Sequence, residues 1–102
     1  MLLLPGMLSA QTLVPTGSTW KYLADGSDQG TIWSQPGFDD ATWPSGPAPL
    51  GFGDPHIVTV IPGQFAFITF YFRHMFTVAD ASAISGLVVR LLRDDGGVVY
   101  LN

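Results

Sequence analysis

Hydrophobic positions fall in short runs that alternate with polar residues, and Gly, Pro, Asp and Ser divide the runs. Thr19-Trp20-Lys21-Tyr22-Leu23 sets Trp20 and Tyr22 on one side and stops at Asp25-Gly26-Ser27-Asp28, so it predicts a strand followed by a turn. Thr31 to Ser34 predicts a second short strand, ended by Pro36-Gly37. Phe38-Asp39-Asp40-Ala41-Thr42-Trp43 predicts one helical turn instead, with Asp39 capping free amides and Phe38 and Trp43 packing inward from its two ends. Residues 44 to 55 hold four prolines and three glycines and predict an irregular crossing, with a short extended piece from Leu50 to Phe52.

Ile57 to Ile61 predicts a further extended piece, which Pro62-Gly63 turns into the longer run Ala66 to Val78. In that run Ile68, Phe70, Phe72, His74, Phe76 and Val78 form the more apolar face and are expected to look into the core, while Thr69, Tyr71, Arg73 and Thr77 occupy the other. Ala79 to Ala83 predicts a connection of about one helical turn. The sharpest local signal is Leu87 to Arg93, then Asp94-Asp95-Gly96-Gly97, then Val98 to Leu101, which predicts a β-hairpin.

Composition strengthens the strand reading. The 102 residues are 47% hydrophobic, all eight acids are aspartate, and Lys21 is the single lysine, so the residues that cover exposed helix faces are missing. The prediction is an all-β antiparallel sandwich over residues 11 to 102. A chain of this mass is expected to bury roughly 65% of its extended surface, about 10,000 Å². Without cysteine there are no disulfides and no thiolate zinc sites, and cysteine usage says nothing of the compartment. A net charge of -4, with four basic residues in all, makes nucleic acid an unfavourable partner. The longest apolar stretch, Phe65 to Phe72 interrupted at Thr69, falls far short of the ~20 residues of a membrane-spanning helix. Residues 1 to 10, with leucines, a Pro5-Gly6 break and the small Ala10, read either as a shortened secretory signal or as an unstructured N-terminus; the first reading is favoured, and with it the expected location is the periplasm, the cell surface or the exterior.

Four segments in order, Trp20-Lys21-Tyr22-Leu23, Gly37 to Trp43, Tyr71 to Val78 and Arg93 to Asn102, resemble the galactose-binding-domain-like β-sandwich (jelly-roll) modules of large secreted bacterial proteins. The resemblance covers about residues 18 to 102. It implies a jelly roll that serves as an accessory module beside domains such as metallophosphoesterases or glycoside hydrolases, with glycan recognition by loops at one end. Relatives without a ligand act as spacers packed on a neighbouring domain, and that is the alternative function. The chain departs from the pattern at His74, where relatives often carry a second arginine, and in its short apolar loop from Asp54 to Phe65. No glycine or final strand follows Asn102, so the sandwich is expected to be incomplete at that edge.

The candidate chemistry is sparse. His56 and His74 belong to no triad, elbow or metal motif, and the adjacent pairs Asp39-Asp40 and Asp94-Asp95 suit capping and turn formation better than a glycosidase pair, so no catalytic residue is assigned. Trp33 and Tyr22 offer flat apolar faces on which a sugar ring could stack, and they are the candidate carbohydrate-binding residues; Trp20 and Trp43 are assigned to the core. Asp25 and Asp28 bring oxygen ligands of the kind calcium takes, in a loop that also makes an ordinary turn, so structural calcium is the one cofactor considered. Arg73 and Arg90 are expected to be satisfied by opposite charges across the sheet.

Overall fold

The computed structural model describes residues 11–102, so the signal-like segment from Met1 to Ala10 lies outside the described residues. Strand β1 is Thr19–Leu23, as its alternation predicts. It pairs antiparallel on one side with β2 (Ser45–Pro47), where Trp20 faces Gly46. Strands β3 (Leu50–Gly51) and β4 (Thr59–Val60) pair with each other. On its other side β1 pairs antiparallel with β5 (Tyr71–Arg73), setting Tyr22 opposite Phe72 and Lys21 opposite Arg73. The main sheet therefore runs β2-β1-β5. The described elements are these strands and two single 3-10 turns, and the class is all-β.

The β3–β4 pair is parallel, against the antiparallel expectation. The intervening loop turns the chain through more than a hairpin: the Val58 and Thr59 amides both donate to the Pro49 carbonyl, at 2.9 and 3.1 Å, and the Ile61 amide donates to Gly51 at 3.0 Å. Pro49, directly before β3, has no amide to give, which limits the ladder at that end.

Alternation along β1 separates two faces. Trp20 and Tyr22 share one with Phe72 and His74, and the Trp20 and His74 rings lie 4.9 Å apart. The second sheet reaches the main one beside Gly46, where a Cβ would lie 2.5 Å from the Thr59 side chain, so this position admits only glycine without a shift. The Thr59 hydroxyl donates to the Pro47 carbonyl at 2.7 Å across the same junction. Lys21, Leu23, Tyr71 and Arg73 occupy the opposite face. Trp43 and Ile61 are the buried large hydrophobics among the described residues, while Trp20 is only half-buried.

The turn before Pro44 forms as expected. The Trp43 amide donates to the Asp40 carbonyl at 2.9 Å, Asp39 accepts from the Ala41 amide at 3.0 Å, and the Phe38 and Trp43 rings meet edge to face at 5.5 Å. A 3-10 turn at Ala81–Ala83, capped by Asp80, supplies the predicted connection.

Three other expectations are corrected. Residues Ile32–Ser34 form a 3-10 turn rather than a strand, because local bonds close it: the Ser34 hydroxyl donates to Thr31 at 3.1 Å and the Gln35 amide to Ile32 at 3.0 Å. The long run to Val78 yields a strand only at Tyr71–Arg73. The turn begun at Pro62-Gly63 continues, with the Ala66 and Phe67 amides both on the Gly63 carbonyl and Phe65 at φ 64°, and it leaves Ile68 fully exposed. From Phe70 to Val78 the even positions are half-buried, as expected. The hairpin after Leu87 keeps its bend but has no ladder: Asp95 sits at φ 69° and accepts from the Arg93 guanidinium at 3.0 Å, while both limbs stay exposed. A two-stranded ribbon needs a further strand or a packing face to persist, and the body's contacts with this one lie at its C-terminal end, where Tyr100 meets Trp33 and the Asn102 side-chain amide donates to the Ser34 carbonyl.

Candidate functional site

The face of the main sheet that carries Tyr71 and Arg73 is covered by the segment from Gln29 to Trp43, and Arg73 ties the two together. Its side chain is only 9% exposed. It pairs with the Asp40 carboxylate, donates through Nε to the Trp33 carbonyl at 2.8 Å and through Nη2 to the Gln35 carbonyl at 2.9 Å, and lies over the Phe38 ring at 5.2 Å. The expected counter-charge across the sheet is absent. The cross-strand neighbour is Lys21, whose amine donates to the Trp43 carbonyl at 3.3 Å, so the acid comes from a turn above the sheet. Like charges opposite one another repel, and Asp40 and the carbonyls offset that locally.

Tyr71 stands beside Arg73 on β5. Its ring meets Trp33 edge-on at 4.9 Å and Trp43 at 6.4 Å, and its hydroxyl accepts from the Gln29 amide at 3.1 Å. Trp33 in turn meets Tyr100 at 5.5 Å. Trp33 is therefore a half-buried member of an aromatic stack. Tyr22 lies on the other face of β1 beside Phe72, so the structure does not bring the two candidate sugar-stacking residues together.

What the fold does bring together is a cleft of about 450 Å³ at one end of the main sheet, between the turn at Gly26, Ser27 and Asp28 and the segment Ala66 to Thr69, with Tyr71 at its base. Phe67 is held there by glycines. A Cβ on Gly26, at φ 78°, would lie 2.7 Å from the ring, and one on Gly63, at φ 101°, would collide with its other edge. Phe67 also leans on Phe70 at 6.3 Å, and Phe70 on Phe52 at 5.5 Å. The cleft thus has an apolar wall backed by a second aromatic cluster, and Ser27, Asp28 and Thr69 as its polar side. Phe67, Thr69 and Tyr71 were not singled out from the sequence; the signal for them is the pair of glycines flanking a phenylalanine in space, which linear spacing does not display.

Asp25 and Asp28 hold this turn in shape. Asp25 accepts from the Ser27 amide at 2.9 Å and from its hydroxyl at 2.5 Å, and Asp28 accepts from the Gly30 amide at 2.9 Å. The Ser27 hydroxyl, and then its amide, lower the Asp25 carboxyl below its usual value. Each carboxylate thus spends one oxygen on its own turn, and no group of three His, Cys, Asp or Glu side chains gathers among the described residues. His56 sits 3.9 Å from Asp54 in an exposed turn, and His74 Nδ1 meets the Thr19 carbonyl at 2.9 Å on a different segment.

No protein-family model, curated protein or solved structure matches the chain. No helix among the described residues is long and apolar enough to cross a membrane.

Proposed function

We propose that the chain is a non-catalytic accessory module of an exported multidomain protein, of jelly-roll type, which holds carbohydrate in the cleft between Gly26–Asp28 and Ala66–Thr69. The observation that carries this reading is the pairing, at one end of the sheet, of ring surface from Phe67 and Tyr71 with the polar groups of Ser27, Asp28 and Thr69 around about 450 Å³. Pockets of that size suit small ligands, and a sugar presents both C–H faces for an aromatic wall and hydroxyls for a carboxylate. Asp28 spends Oδ1 on Gly30, which fixes the side chain and leaves Oδ2 to accept from a hydroxyl. Trp33 supports Tyr71 from behind rather than serving as the platform itself.

The test is retention on a panel of immobilised polysaccharides. The wild-type chain is expected to be retarded by at least one of them. Phe67→Ala and Asp28→Ala are each expected to weaken that retention about tenfold, the equivalent of one good contact. Retention by none of them overturns the proposal and returns the chain to the spacer reading, and retention that survives both substitutions removes the cleft from it.

A further inference from the structure

Beyond the cleft, the segment from Gly86 to Leu101 is extended and bent once at Asp94-Asp95, and it makes no backbone–backbone hydrogen bond among the described residues. Nine large apolar side chains along it, from Leu87 to Leu101, are 48 to 82% exposed. Apolar side chains this exposed, contiguous along one segment, mark an association surface. Open strand edges combined with that much apolar surface are a template for strand pairing.

Charge indicates the occupant. From Gln11 to Ala83 the chain carries Lys21 and Arg73 against six aspartates, whereas this arm carries Arg90 and Arg93 against Asp94 and Asp95. Two bodies repel each other; two neutral arms do not. The arm is also self-complementary. An antiparallel pairing of two copies centred on Leu92 sets Arg90 of each opposite Asp94 of the other, so the same ion pair is made twice about a two-fold axis.

We infer that this chain pairs with a second copy of itself through residues 87 to 97, arm against arm. Sedimentation of the full chain at roughly 100 µM, where a micromolar pair is mostly assembled, is expected to give twice the 11.0 kDa mass of one chain. Leu92, 82% exposed, supports nothing in the body, so Leu92→Asp is expected to return the single-chain mass with unchanged tryptophan fluorescence. Asp94→Arg alone is expected to weaken the pair at least tenfold, and adding Arg90→Asp to restore it. The single-chain mass for the wild type, an assembly indifferent to Leu92→Asp, or no recovery in the charge-exchanged variant overturns the inference.

Discussion

At the scale of single residues, Arg73 does what no apolar side chain at its place could do. Three of its N–H groups are spent on the Asp40 carboxylate and on the carbonyls of Trp33 and Gln35, the first two in part-buried positions. Its removal therefore costs the bonds and also leaves their partners unpaired. Arg73→Met is expected to lower unfolding free energy by about 3 kcal/mol, read from urea melts. Arg73→Lys is expected to recover only a small part, because one ammonium cannot span the fork between Nε and the two terminal nitrogens. Asp25 acts in the opposite regime, at the surface. Its carboxyl titrates below the ordinary value of 3.8 in the folded chain because Ser27 donates to the charged form. The unfolded chain thus takes up the proton first, and the stability from this turn is present above that value and lost as pH falls through the folded one. Asp25→Asn is expected to flatten the acid limb of a stability–pH profile between about pH 5 and pH 2; a limb of unchanged slope would show that the turn contributes nothing.

At the scale of elements, what was legible in the sequence is what short-range chemistry determines. The strand at Trp20, the capped turn ending at Trp43 and the 3-10 turn after Asp80 all follow from side-chain alternation or from an aspartate two residues before a free amide. The all-β class was legible for the same reason. Elements that depend on distant partners were not. Ile32–Ser34 has the residues of a strand, yet its carbonyls are claimed by Arg73, forty positions away, and by its own turn. Ile68 shares the parity of the buried face, but Phe65 in the left-handed region delays the strand until Tyr71. The candidate site divides in the same way. Asp28 was found because a turn sequence displays its acids; Phe67 was missed because its role comes from two glycines thirty-seven positions apart that meet only in the folded chain. Tyr22 and Trp33 share a chemical type alone: the alternation of β1 and β5 sets Tyr22 and Tyr71 on opposite faces, and Trp33, in a 3-10 turn, packs on Tyr71.

At the scale of the molecule, the balance between surface and interior sets how firmly this fold can hold. The chain leaves 8252 Å² accessible, where a folded chain of its mass usually leaves about 5,600 Å². Its radius of gyration is 16.5 Å, against about 13 Å for a compact domain of 100 residues. Folding one copy therefore hides roughly 7,700 Å² instead of the expected 10,000 Å², and the open arm beyond Gly86 supplies part of the shortfall beside exposed side chains such as Phe65 and Ile68. The slope of stability against denaturant scales with the surface that unfolding exposes. For dilute single chains the urea m-value is expected to be about three quarters of that for a compact chain of equal length. It is expected to rise with protein concentration as arm surface becomes buried between copies, since an equilibrium that includes assembly depends on the amount of protein present. A full-sized m-value at high dilution would instead require the arm to close over its own body, and this single measurement separates that arrangement from the paired one because a contact within one chain does not respond to concentration.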